Sequence, residues 1–317
     1  GRYAGSTWYA DTFADDIDER CIAQLDIDSP GCEGATAYEE VMWMAEADEL
    51  CRTSIQDALG LPSQRVRPRR AGDYSFNQIG PTGLYMLLSN IPIDERRRRG
   101  YYAVGGCGGN IAWHTPDDLM PVADLDILHR DLKVYLTTIV RILNAPLHPF
   151  DYAATADEMR SAVAAYHAAA AGLVDLAPLA DDFASLAHDL ADWQAAAAAQ
   201  ASSAEARERR AFNARLRRIA RLLVSTNYAR GERFDQDVIA LARHDGADAE
   251  EERSFVAGAP FCRRHGVTAR PHDADEGVHR ARHRELPGAD RRVRRHRPLQ
   301  LPRHDPLRLD APALHRH

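Results

Sequence analysis

The sequence predicts an α/β layer that passes into an all-α helical bundle and ends in a disordered tail. Three observations carry this reading. Residues 1–149 alternate helical patterning with short apolar runs. Residues 150–240 are Ala-rich, with apolar positions at about 3.5-residue spacing. Residues 241–317 turn abruptly to Arg, His, Pro and Asp and carry too few aliphatic side chains to build a core.

Taken in order, Ser6 or Thr7 is expected to cap a first helix whose Tyr9, Phe13 and Ile17 share a face. Residues 21–27 read as a buried strand. A helix over 38–59 follows, with Val41, Met44, Cys51, Ile55 and Leu59 inward, and crosses to a second strand at 82–88 as one βαβ unit. Residues 101–104 are a weaker third strand. A helix over 124–143 directs Leu125, Leu128, Leu132, Tyr135, Ile139 and Ile142 toward the sheet. So few strands leave exposed sheet edges, so the expectation is that the N-terminal half of this domain lies upstream of Gly1.

Pro146 and Pro149 close that helix, and three bundle helices follow. Their stripes are Met159, Val163, Tyr166, Ala170 and Leu173; Leu179, Phe183, Leu186, Leu190 and Trp193; and Phe212, Leu216, Ile219 and Leu223. A fourth helix is expected after the linker 228–235, and none is found. The tail holds 15 Arg, 12 acidic residues and 8 His in residues 245–317, within a chain of net charge -7. Its composition suggests a GC-rich gene read out of frame after residues 237–245. The tail lacks interleaved aromatics and any nucleic-acid motif, so no nucleic-acid partner is expected. No membrane segment is expected either, because the longest apolar runs, near residues 84–88 and 195–199, fall far short of the roughly 18–20 residues that span a bilayer. The chain opens without an initiator Met, which leaves the compartment open. Five Cys, at 21, 32, 51, 107 and 262, show no CxxC spacing; Cys21–Cys32 and Cys51–Cys107 are the pairings considered.

Four local patterns fall where an α/β fold places its chemistry, near the carboxyl ends of strands. Asp28, in Asp26-Ile27-Asp28-Ser29-Pro30, ends a strand and reads as a metal ligand or as a turn cap. His114 follows the run Gly105-Gly106-Cys107-Gly108-Gly109 and precedes Thr115-Pro116-Asp117-Asp118. It reads as a ligand oriented by a nearby carboxylate, or as a surface side chain beside a helix start. The segment Gly72-Asp73-Tyr74-Ser75-Phe76, with Gly80-Pro81, is a pocket-lining loop or a capped turn. Gly5-Ser6-Thr7 is a turn into a helix.

In this order the four patterns resemble the zinc peptidases of metallopeptidase family 28, the group of bacterial aminopeptidases and glutamate carboxypeptidase, over residues 1–145. The resemblance implies a partial phosphorylase/hydrolase-like zinc-peptidase sheet with covering helices. It implies Asp28 and His114 as ligands of two zinc ions, one each, facing one another across one pocket, with Asp73, Tyr74 and Trp113 bordering a peptide substrate. It also implies that the general-base Glu and the remaining ligands lie upstream, leaving no catalytic residue in this chain and the chain alone inactive. Residues 150–240 are similar to the helical dimerisation domain of the glutamate carboxypeptidase and transferrin receptor relatives, which implies a homodimeric parent. The alternative is a catalytically inactive, transferrin-receptor-like binding or dimerisation module. The run Glu95-Arg96-Arg97-Arg98-Arg99 reads as a solvated loop or, by the resemblance to relatives acting on acidic peptides, as a fork of Arg that holds a substrate carboxylate; Arg65, Arg67, Arg69 and Arg70 read as solvent-facing.

Overall fold

The computed structural model describes residues 4–68 and 72–229. These residues form a small mixed sheet with helices on it and a helical segment after it. Strands β1 (Ala23–Asp26), β2 (Val41–Met42), β3 (Arg65–Val66) and β4 (Thr82–Met86) lie in the order β1-β4-β2-β3. β1 and β4 run parallel, Ala23 beside Thr82, so their carboxyl ends share one edge. β4 is antiparallel to β2, which is parallel to β3. The run Leu84, Tyr85, Leu87 and Leu88 is buried throughout, as befits a strand covered on both faces.

The two longer strands lie within the predicted runs, whereas the helix expected from residue 38 starts only at Asp48, as α3 (Asp48–Leu59). The reason is local. Val41 and Trp43 are buried while Met42 between them is not, a period of two that suits a strand. Asp48 and Glu49 then supply the acidic first turn a helix N-terminus favours, and Gly60 ends the helix in the left-handed conformation. Residues 101–104 form no strand. The first helix is broken at Phe13 into α1 (Ala4–Thr12) and α2 (Ala14–Arg20). Ser6 and Thr7 lie inside α1 rather than capping it, and of the expected face Ile17 is buried while Tyr9 and Phe13 are exposed.

After the short helix α4 (Ile93–Arg99), the long helix α5 (Leu125–Asn144) begins where predicted, Asp124 accepting the Ile127 N–H at 2.9 Å as its cap. Its buried face is rotated from the expected one. Ile127, Asp131, Val134, Tyr135 and Thr138 are buried, while Leu125, Leu132, Leu136, Val140 and Leu143 are exposed. A carboxylate sets this rotation, because Asp131 is wholly buried and collects donors from three segments.

Helices α6 (Tyr152–Ala169), α7 (Ala177–Ala201) and α8 (Ala206–Tyr228) follow, with Asp151 capping α6 and a reciprocal Glu205–Glu208 capping box starting α8. They share the core of the sheet region. Phe150, Tyr152, Leu190, Leu216, Val224 and Tyr228 belong to one buried cluster with Trp43, Ile55, Leu84 and Tyr135. Burying this apolar surface is the main stabilisation, at about 25 cal/mol per Å².

Two polar connections fix the helices in place. Arg221 of α8 is buried, and its guanidinium donates to the carbonyls of Ile17, Asp18, Cys21 and Gly80 and to the Asp18 carboxylate. Gly80 is required there, since a Cβ on it would lie 2.9 Å from the Arg221 Cα. Arg65 and Arg67, expected in solvent, instead pair with Glu158 of α6, which also accepts from Tyr228 Oη at 2.8 Å. Burial alone would raise the Glu158 carboxyl; Arg67 and Arg65 outweigh it and hold the group below its ordinary value. Arg69, Arg70, the linker beyond residue 229 and the tail predicted to be disordered lie outside the described residues.

Candidate functional site

The carboxyl ends of β1 and β4 open onto two loops that carry most of the singled-out residues. The first leaves β1 at Asp26 and passes through Ile27 and Asp28, both exposed. At Ser29 the backbone turns left-handed (φ 44°); its hydroxyl donates to Asp28 Oδ1 at 3.0 Å and accepts the Cys107 N–H at 3.2 Å. That one hydroxyl therefore orients the carboxylate and joins the two loops.

Two residues on, Gly31 seats against α5 so closely that a Cβ would lie 2.6 Å from the Leu128 Cβ. Its N–H donates to Asp131 Oδ2 at 3.0 Å. Asp131 also accepts from Tyr38 Oη at 2.7 Å, the Ser89 N–H at 2.9 Å and the Ser89 hydroxyl at 3.2 Å. The carboxylate thereby ties the loop after β1, the segment after β4 and the start of β2's approach to α5. Hydrogen bonds to an ionised acceptor are about twice as strong as neutral ones.

The second loop is the glycine-rich run. Gly108 has a positive φ of 60° and no room for a side chain, since a Cβ there would meet the Ala35 Cβ at 2.9 Å, and its carbonyl accepts the Ile91 N–H at 2.8 Å. The Trp113 indole lies over Gly105 and Gly106, leaving no room for a side chain at Gly106. His114 is exposed, left-handed (φ 59°), and stacked on Trp113 with ring centroids 3.7 Å apart at 17°. Thr115 holds the turn that follows, its hydroxyl donating to the Ala112 carbonyl at 2.7 Å. Asp28, Trp113 and His114 thus belong to two loops that meet at the Ser29–Cys107 hydrogen bond.

The third segment is set differently. Residues Gly72–Phe76 form a 3-10 turn that carries Asp73 in its backbone. Tyr74 is buried, its hydroxyl donating to the Pro68 carbonyl at 3.0 Å and its ring 6.0 Å from that of Tyr85. Ser75 shares hydrogen bonds with Ser6 at 2.9 Å and Thr7 at 3.2 Å, which joins this turn to α1. Of the Arg run, Arg97, Arg98 and Arg99 are solvated as expected, in helical form, whereas Arg96 is largely buried and donates to the Ile91 carbonyl at 3.0 Å. Arg97 pairs with Asp94, and Arg98 and Arg99 with Glu95, while Arg96 leans on Gly109 and pairs with Glu40.

The cysteine pairings considered from the sequence are not those found. The Cys21 thiol donates to the Ala23 carbonyl and Cys51 lies on the buried face of α3, while the sulfurs of Cys32 and Cys107 lie 3.2 Å apart. Sequence reasoning also passed over Ser29 and Asp131. The signal for Asp131 was present: a charged residue at i+4 from Ile127 and i−3 from Val134, inside an apolar stripe.

Compared with family models, with curated proteins and with solved structures, the chain gives no match. Among the described residues no helix is long and apolar enough to cross a membrane.

Proposed function

We propose that this chain is part of a two-zinc exopeptidase of the family 28 type, an aminopeptidase or a carboxypeptidase that hydrolyses peptide bonds, and that the polypeptide alone is inactive. One observation carries the reading: the ordered run of family-like motifs puts Asp28 and the Trp113-His114 pair on two contacting loops beyond adjacent parallel strands.

The donor types suit zinc, a carboxylate oxygen and an imidazole nitrogen, both on exposed residues. Their number does not, since a catalytic zinc takes three protein ligands and these two residues offer one to each ion. In a complete relative the metal pair polarises the scissile carbonyl and supplies hydroxide at neutral pH. Here Ser29 fixes one Asp28 oxygen, and the Trp113 face fixes the plane of the imidazole. Trp113 and the Asp73 turn would border the peptide. The parent would be a homodimer joined through the helices after residue 150.

The test is zinc titration of the full chain against a chromophoric chelator, beside Asp28→Asn and His114→Ala. The His-rich tail contributes the same background to all three proteins, so the difference between them is the readout. Each substitution is expected to lower zinc retention, and none of the three to cleave aminoacyl p-nitroanilides or acidic dipeptides. Equal retention by all three sinks the zinc reading. The binding-module alternative draws on Leu173, Val174 and Leu179, exposed where α6 turns into α7. A dimer in sedimentation whose stability ignores both zinc and these two substitutions would favour it.

A further inference from the structure

We infer that Cys32 and Cys107 are a disulfide-forming pair that locks the loop after β1 to the glycine-rich loop. The pair is buried among Ala35, Ile91 and Ile127, with its sulfurs 3.2 Å apart. A disulfide needs a sulfur separation of about 2.05 Å, so closure takes a movement of about 1.2 Å. The surrounding backbone is already drawn together. A Cβ on Gly108 would lie 3.3 Å from the Cys32 Cβ, and Cys107 itself adopts φ 52°. Hydrogen bonds hold the same strip on either side. Ser29 accepts from the Cys107 N–H, the Asp124 N–H donates to the Gly31 carbonyl at 2.8 Å, and the Glu33 N–H donates to the Val122 carbonyl at 2.7 Å. Cys21 and Cys51 have no such partner sulfur among the described residues.

The oxidant is a low-molecular-weight disulfide such as oxidised glutathione. Cys107, as thiolate, attacks one sulfur of the reagent; a Cys107–glutathione bond forms and the first glutathione thiolate leaves. Cys32 gives up its proton and attacks the Cys107 sulfur, that mixed bond breaks, and the second glutathione leaves. Two protein thiols are oxidised and one glutathione disulfide is reduced to two thiols. Burial raises both thiols above their ordinary value. Exchange is therefore slow once the loops have closed, and proceeds while they are open during folding. The finished bond is shielded from reductant by the same burial. The tether spans 75 residues and fixes the positions of Asp28, four residues before one sulfur, and His114, seven after the other. It holds whatever the loops bind, so its test does not depend on zinc.

The experiment is peptide mapping of the full chain refolded with oxidised glutathione, then denatured and alkylated without reductant. Trypsin with a protease that cuts before Asp separates the cysteines, leaving Cys32 in residues 28–47 and Cys107 in residues 100–116. The expected product is these two peptides linked, lighter by two hydrogens than their sum, and absent from Cys32→Ser and Cys107→Ser. Reduction is expected to lower the melting temperature of the parent by about 10 °C, and to leave the Cys32→Ala/Cys107→Ala double variant unmoved. Alkylation of both cysteines as free thiols, or linkage of either to Cys21, Cys51 or Cys262, overturns the inference.

Discussion

Asp131→Ala is expected to unfold the chain more readily than any single truncation of an aliphatic residue on the same helix. The carboxylate receives two backbone N–H groups, from Gly31 and Ser89, and two hydroxyls, from Tyr38 and Ser89. Each such bond to a charged acceptor contributes about 1.5–3 kcal/mol. The four do not add, because the hydroxyls can turn toward other acceptors while the buried amides cannot. Two stranded N–H groups at about 1–3 kcal/mol each, with a small cavity, give a loss of about 3–5 kcal/mol. Asp131→Asn keeps the volume but turns an amide NH2 toward donors, so a loss of about 1–3 kcal/mol is expected. Urea unfolding followed by tryptophan fluorescence reads the difference, since Trp43 is buried in the same core. Amide exchange at Gly31 and Ser89 should accelerate in both variants. A loss below about 1 kcal/mol for Asp131→Ala would refute the claim that this carboxylate organises the loops.

Two further outcomes follow from buried charges. Burial raises the Glu46 carboxyl above its ordinary 4.5, against the smaller opposing effects of its own backbone N–H and the Thr155 and Thr82 hydroxyls. A folded-state value raised above the unfolded one gives stability that is present at low pH and lost as pH rises through the folded value. Glu46→Gln should therefore flatten the decline of melting temperature above about pH 5 and exceed the parent at pH 8, in parallel thermal melts. Arg221→Met removes the donor that five acceptors share, and should cost about 3–5 kcal/mol in urea unfolding. Arg221→Lys, with three donors on a point charge, should recover only part of it.

What could be read from the sequence depended on how far each pattern extends. β1, β4 and α5 were legible because an apolar run or a long periodic stripe with a cap leaves an unambiguous mark. β2 and β3 are two residues each, too short to show a strand period beyond doubt, and Val41 and Met44, three apart, fit a helix stripe that runs on into α3. The face of α5 was misjudged because counting apolar positions ignores a buried carboxylate, and one residue of rotation moves Leu125 and Leu132 into solvent. Arg65 and Arg67 were placed in water for the same reason: their partner Glu158 lies about ninety residues away, and no local pattern marks it. At the site, Asp28 and His114 stand out by residue type and position, whereas Ser29 does not, because its hydroxyl matters only where Cys107 comes to meet it.

The Arg221 contacts also set a timetable for synthesis. The carbonyls it satisfies at Ile17, Asp18 and Cys21 precede it by 200 residues or more. At about 5–20 residues per second, a ribosome takes about 10–40 s to make that interval. Throughout it, the end of α2 and the entry to β1 stand without the guanidinium that later covers them. Nascent chains stalled before residue 221 should bind holdase chaperones through this end, and release them once α8 has emerged.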